Sequence, residues 1–130
     1  GWRCNMLAAL ESRIRASVSV GWMTTCALQQ DYNIEGAVGT FCLLPGAWNR
    51  LDIPDMASMS AHAACMVVVG QQDILFPKEA KAEAREQIES AFVWAGREEA
   101  CHYFEPNAPH CYNNEVQAEA FSWFDRHLRS

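Results

Sequence analysis

The stretch that decides the fold is CMVVVGQQDILFP, residues 65–77. Its apolar half is rich in valine and ends at Gly70, which is typical of a strand buried on both faces of a parallel sheet. Gly70 permits a sharp turn after the strand, and Pro77 suits the first turn of a following helix. Asp73 is therefore expected just beyond the strand's carboxyl end, where open α/β sheets keep their ligands.

On both sides of this segment, helical and strand patterns alternate along the chain. Strands are expected at Ile14–Val20, Met66–Val69 and Glu99–Phe104, the first with its apolar residues at every second position. Such alternation predicts a single α/β domain over residues 1–130, built as a three-layer sandwich around a parallel sheet of about three strands. Helices are expected from Trp2 to Leu10, from Lys78 to Ala95 and from Asn113 or Asn114 to Leu128.

Two of these helices have a predicted buried face and a predicted solvent face. The charges of residues 78–89 are expected on a solvated face, with Gly96 as the helix stop. The last helix is expected to bury the apolar positions Val116, Ala120, Phe121, Phe124 and Leu128.

Residues 22–64 form a long connection between the first two predicted strands. Short helices are expected near Ile34–Phe41 and Asp55–Ala63, with Asp55 as the N-cap of the second. Structureless loops of this length are uncommon, so the connection should either pack on the sheet or cover a site like a lid.

Composition limits the classes of partner. The chain has 130 residues, half of them hydrophobic, and a formal net charge of −6. Neither nucleic acid nor a membrane is expected as a partner, because anionic surfaces need clustered Lys and Arg and no apolar run is long enough to span a bilayer. Six cysteines without a C-x-x-C pair favour reduced core residues in a cytoplasmic protein over a disulfide framework.

Asp73 and His110 are the candidate catalytic residues. Each follows one of two neighbouring predicted strands, and parallel strands end at the same sheet edge, so the two side chains are expected to meet. A carboxylate that orients a histidine supplies two parts of a nucleophile–base–orienter system. The simpler alternative is that Asp73 caps the helix near Pro77 and His110 is an ordinary loop histidine.

Several segments in succession resemble the C-terminal half of an α/β-hydrolase, especially the dienelactone hydrolase and peptidase-like esterase branch. Residues 67–73 with Pro77 are similar to that family's acid turn. Residues 109–112, with the helix after them, are similar to its histidine loop and closing helix. Residues 6–10 followed by residues 13–16 resemble the helix after the nucleophile and the next strand, so the resemblance covers essentially the whole chain.

The resemblance implies serine-dependent ester or acyl hydrolysis, with His110 as the base and Asp73 orienting it. The family's nucleophile lies in G-x-S-x-G between a strand and a helix, and Gly1 falls where that motif ends. The serine is therefore expected before residue 1, and the chain alone is expected to be almost inactive. The alternatives are a small-molecule binding or protein-interaction module, and a fragment that needs its N-terminal half in trans.

Four side chains within the sequence are considered as substitute nucleophiles. Cys26 and Cys111 can approach the predicted site, but neither lies in the strand–elbow–helix context that the chemistry requires. Ser58 and Ser60 lie in Met-Ala-Ser-Met-Ser, without flanking glycines.

Three aromatic residues, Trp22, Trp48 and Phe76, are expected to line a substrate pocket for a small acyl or aromatic ligand, with core packing as the alternative. No metal or cofactor is expected, because the adjacent residues Cys101 and His102 of a strand point to opposite faces. Strand Ile14–Val20 is expected at a bare sheet edge, and a second copy of the chain is expected to cover it as an antiparallel homodimer.

Overall fold

A computed structural model describes residues 1–39, 46–47 and 50–129 of the chain. It confirms the mixed α/β class and a three-stranded parallel sheet. The strands are β1 (Ala16–Val20), β2 (Ala64–Val68) and β3 (Cys101–Phe104). The α-helices are α1 (Trp2–Leu10), α2 (Cys26–Asn33), α3 (Ile53–Ser58), α4 (Lys78–Trp94) and α5 (Asn114–Leu128). A π-helix spans Ile34–Val38, and a short 3-10 helix spans Glu98–Ala100.

The strands lie in the order β1-β2-β3, so that β2 is central. Val18 pairs with Met66, which in turn pairs with His102, and every residue of β2 is buried. This burial confirms the prediction of a strand covered on both faces. The strand begins at Ala64 rather than Met66, because Ala64 already donates its N–H to the carbonyl of Arg15.

Helices cover both faces of the sheet. On one face α3 contacts both α1 and α4, and Tyr103 of β3 donates its hydroxyl to the carbonyl of Lys81 in α4. On the other face lies α5, where Trp123 stacks against His102 of β3. The core runs between these layers and is centred on β2.

The first strand is shorter than predicted, and its apolar residues do not lie on its more buried side. Ser17 and Ser19 are buried, whereas Ala16, Val18 and Val20 are only half-buried. Helix α1 covers the serine side closely, while α5 covers the valine side only in part, because β1 lies at the edge of the sheet. Apolar periodicity identified the strand and not the face that the helices cover.

The connection of residues 22–64 contains a helix that the sequence pattern did not indicate, α2. The helix expected near Ile34–Phe41 is the π-helix, which ends at Val38, and Phe41 lies outside the described residues. The helix expected at Asp55–Ala63 is α3, which begins at Ile53 and ends at Ser58, so its predicted N-cap is wrong.

The cap of α3 is Asp52, which accepts from the N–H of Ile53, and Asp55 completes a capping box by accepting from the N–H of Asp52. Buried side chains from this connection, including Met23, Ile53 and Ala57, belong to the hydrophobic core. The described part of the connection therefore packs into the domain.

Helix α4 confirms the predicted start after Pro77 and the predicted stop, since Gly96 has a φ of +66° just beyond the C-cap. One prediction for this helix is wrong: Lys81 is 5 % exposed and does not lie on a solvated face. Its ammonium group turns back onto the end of β2.

Helix α5 begins at the predicted cap, where the side chain of Asn113 accepts from the N–H of Val116. Its predicted apolar face is only partly correct. Val116 and Ala120 are buried as expected, but Trp123 fills the core while Phe121 is 61 % exposed. Both residues are apolar, so spacing alone did not decide which one the sheet would bury.

Among the residues that the structure describes, no helix has both the length and the apolar composition needed to cross a bilayer.

Candidate catalytic pair

The acid turn follows β2 directly. The N–H of Asp73 donates to the carbonyl of Gly70 at 3.1 Å, which closes a tight turn over residues 70–73. The Asp73 side chain is fully buried, and its Oδ1 accepts from the N–H of Leu75 at 2.9 Å. One carboxylate oxygen is thus used by the local backbone, and this fixes the direction in which the second oxygen, Oδ2, points.

The loop that carries His110 is joined to this turn by a ladder of hydrogen bonds that continues the β2–β3 pairing beyond the strands. Backbone N–H groups of Val69, Gln71 and Gln72 donate to the carbonyls of Phe104, Pro106 and Ala108. The two glutamine side chains add hydrogen bonds of 2.8 and 2.9 Å to the carbonyl of Glu105 and the side chain of Asn107. The acid turn and the histidine loop therefore form one unit.

Two glycines allow the backbones to approach at this sheet edge. A Cβ atom at Gly70 would overlap the carbonyl oxygen of Ala108 and lie 2.8 Å from that of Pro109. A Cβ atom at Gly21, where φ is +66°, would lie 2.7 Å from Cε1 of His110. Both glycines lie just after the carboxyl ends of strands. Glycine is required at these positions because the histidine loop packs across the strand ends and leaves no room for a side chain.

The side chains of Asp73 and His110 meet as the sequence predicts. Nδ1 of His110 lies 2.8 Å from Oδ2 of Asp73. The carboxylate is excluded from solvent, whereas the imidazole is 49 % exposed. When Nδ1–H donates to the carboxylate, the lone pair of a neutral imidazole lies on Nε2, where it can accept a proton from a nucleophile. The arrangement is that of an oriented general base.

The serines considered as nucleophiles are used by the helix that carries them and by the turn after it. Oγ of Ser58 donates to the carbonyl of Pro54, and Oγ of Ser60 donates to the carbonyl of Ala57. Within residues 1–39, 46–47 and 50–129, no serine or cysteine side chain hydrogen-bonds to His110.

Several of the described cysteines have thiols that ionise less readily than a free cysteine. Burial, reinforced by the carboxylate of Asp52, raises the pKa of Cys26 to about 12, so its thiol is not ionised near neutral pH. Burial also raises the pKa of the Cys65 and Cys101 thiols. Cys111 is half-buried and follows His110 in the loop, while Cys42 lies outside the described residues.

Of the three aromatic residues expected to line a pocket, the structure describes two, Trp22 and Phe76. Trp22 and Phe76 belong to the hydrophobic core, where they are 8 % and 2 % exposed, and Trp48 lies outside the described residues. Contact of Trp22 and Phe76 with a substrate stays a prediction.

A groove of about 300 Å³, lined mainly by apolar residues, lies at β1, between this strand, α5 and the histidine loop. It is bounded by Gly1 at the start of α1, by Val20, and by Tyr112 of the histidine loop, together with Val18, Ala120 and Phe124. The sequence pattern did not indicate this groove, because it forms between elements that are distant in the chain.

No group of three or more His, Cys, Asp or Glu side chains is arranged to hold a metal ion in the part of the chain that the structure describes.

No protein-family model, curated protein or solved structure matches the chain.

Proposed function

We propose that this chain is a domain derived from a serine esterase or acyl hydrolase of the α/β-hydrolase type, which retains the acid and histidine of the catalytic triad and lacks the nucleophile. The observation that supports this most strongly is the 2.8 Å contact between Nδ1 of His110 and the fully buried carboxylate of Asp73. The pair lies at the carboxyl edge of a parallel sheet, as the resemblance implies.

The position of α1 supports the same proposal. A Cβ atom at Gly1 would lie 2.5 Å from Cβ of Trp22 and 3.1 Å from the carbonyl of Val20, the residues on either side of Gly21. Gly21 in turn packs against the ring of His110. Gly1 therefore lies close to the backbone segment that packs against the imidazole, which is where the proposal needs the elbow that carries the nucleophile.

The experiment fuses to Gly1 the N-terminal half of an α/β-hydrolase that ends in a strand and Gly-x-Ser-x, so that Gly1 completes the elbow motif. The fusion should hydrolyse a nitrophenyl ester. His110→Ala or Asp73→Asn in the fusion should lower kcat by roughly 10³–10⁴-fold, because the base is removed or its orientation is lost. The unfused chain should show little or no turnover.

His62→Ala is the matched control, since His62 is exposed and its side chain is distant from the pair in the sequence and in the fold. It should leave kcat unchanged. A folded fusion whose hydrolysis is the same with and without His110→Ala contradicts the proposal. Turnover by the unfused chain that disappears in His110→Ala would show instead that a residue within the sequence acts as the nucleophile.

A second candidate function is binding of a small acyl or aromatic ligand without turnover, which the apolar groove of Val18, Val20 and Phe124 favours. A ligand-induced rise in melting temperature that Phe124→Ala abolishes, with no product formed, would support this function.

A cytoplasmic location is proposed as well, because Cys4, Cys26, Cys65, Cys101 and Cys111 carry free thiols.

We also propose that a second copy of the chain pairs with the open edge of β1. Arg15 and Gly21 bond to β2, so the alternate residues Ala16, Val18 and Val20 direct their backbone groups away from the sheet. The carbonyl of Val18 accepts from the weak S–H donor of Cys4 at 3.3 Å, and a backbone N–H from a second copy would be a stronger partner.

A further inference from the structure

Lys81 is a buried lysine whose ammonium group binds the acid turn. It lies in the first turns of α4 and is 5 % exposed. Its Nζ donates to the carbonyls of Gly70 and Asp73 at 3.1 Å each, and lies 3.5 Å from the carbonyl of Gln71. The ammonium group therefore contacts the first and last residues of the turn that presents the catalytic carboxylate.

The surroundings of this ammonium group differ from those of a lysine on a solvated helix surface. An ammonium group has three donors, and removing it from water is costly unless hydrogen bonds compensate. Within the described ranges Lys81 has no carboxylate partner, and its contacts are carbonyl oxygens of one turn. The ammonium group thus keeps three carbonyl oxygens close together. The turn then has a conformation in which the Asp73 side chain points at His110.

The backbone of Lys81 is also tied to the strand that leads into the histidine loop. The hydroxyl of Tyr103, in β3, donates to the carbonyl of Lys81 at 3.3 Å. One residue of α4 therefore contacts the acid turn through its side chain and β3 through its main chain. A displacement of Lys81 would alter the distance between the two halves of the pair.

We propose that Lys81 is a positioning residue, which holds the turn of residues 70–73 so that Asp73 accepts from Nδ1–H of His110. Its consequence for catalysis rests on the proposed function, because the proposed hydrolysis uses Nε2 of His110 as the base. The positioning itself concerns the Asp73–His110 hydrogen bond and can be measured without a substrate.

The test compares Lys81→Met, which keeps the chain length and removes the donors, with the wild-type protein. The measurement is the long-range ¹H–¹⁵N spectrum of His110, which reports whether the neutral ring carries its proton on Nδ1 or Nε2. The ratio of the Nδ1–H form to the Nε2–H form should fall by roughly tenfold or more, because a hydrogen bond to a charged carboxylate is weakened. Lys78→Met is the matched control, since Lys78 is an exposed lysine at the start of the same helix, and it should leave the ratio unchanged.

A Lys81→Met variant that folds, melts at a lower temperature and keeps the wild-type tautomer would overturn the proposal and leave a purely structural lysine. Lys81→Gln, which retains two amide donors, should give an intermediate ratio. If both variants fail to fold, a measurement on the wild-type protein tests the proposal. The Lys81 ammonium should give a slowly exchanging ¹⁵N signal with cross-peaks to the α-protons of Gly70 and Asp73, and exchange as fast as that of Lys78 overturns the proposal.

These outcomes are distinguishable from failure of the proposed function. A fused hydrolase that is insensitive to His110→Ala argues against hydrolase ancestry and leaves the tautomer measurement intact. An unchanged tautomer in folded Lys81→Met argues against the role of Lys81 and leaves the pair itself in place.

Discussion

At the residue scale, Gly70 and Gly21 decide how closely the histidine loop approaches the sheet. The sequence predicted Gly70 as a turn residue, and the structure adds a second reason, because the carbonyl of Ala108 occupies the space that a side chain would fill. Gly21 gives the imidazole of His110 a flat backbone surface to pack on. Neither contact is visible in sequence, since each joins segments far apart in the chain.

Gly70→Ala should displace the loop and weaken the pair. The added Cβ meets backbone rather than a flexible side chain, so we expect a loss of about 1–3 kcal/mol in the free energy of unfolding, as for overpacked cores. The ratio of the Nδ1–H to the Nε2–H tautomer of His110 should fall as well. Chemical denaturation and the ¹⁵N spectrum of His110 measure the two effects.

Gly96→Ala serves as the control for Gly70→Ala. Gly96 has a φ of +66° and open space around it, so alanine there should cost about 1–2 kcal/mol through backbone strain alone. The tautomer of His110 should stay as in the wild type. Equal tautomer shifts in both variants would mean that any loss of stability disturbs the pair, and the close contact at Gly70 would not be its cause.

At the scale of elements, sequence patterns predicted the central strand, α4 and the N-cap of α5 best. Residues 64–68 are buried on both faces, so their uninterrupted apolar run has a single interpretation. Strand β1 and helix α5 were predicted less well, because each lies at the margin of the fold. There the spacing of apolar residues marks an element, but the neighbouring elements decide which side is covered, as at Ser19 and Trp123.

The edge of β1 carries the prediction of a dimer. Exposed apolar residues lie on the two helices that flank this strand, with Leu7 on α1 and Phe121 on α5 about 60 % exposed. Antiparallel pairing of two β1 strands would satisfy the outward backbone groups and bury such residues. Light scattering at micromolar concentration should therefore give the mass of a dimer.

Val18→Lys should convert that dimer to a monomer, because it places two like charges near the two-fold axis without disturbing the pairing with β2. Val93→Lys, at an exposed position of α4, is the matched control and should remain dimeric. A monodisperse wild-type monomer at the same concentration would contradict the dimer proposal.

At the scale of the whole molecule, the meeting of Asp73 and His110 was predictable because parallel strands end at a common edge. The support for that meeting was not predictable. Lys81 lies among charged residues that predicted a solvated helix face. Its side chain instead contacts the acid turn, because α4 begins next to that turn in space. The hydrogen-bond ladder beyond β2 and β3 likewise depends on the path of two loops, which the sequence pattern does not specify.

Orientation of His110 by Asp73 can be tested through the tautomer of neutral His110 in the wild-type protein and in Asp73→Asn, read from long-range ¹H–¹⁵N spectra. We expect the wild-type ring to carry its proton on Nδ1, where the buried carboxylate accepts the hydrogen bond, and Asp73→Asn to lower the proportion of this form. A wild-type ring protonated on Nε2, unchanged by Asp73→Asn, would contradict this orientation.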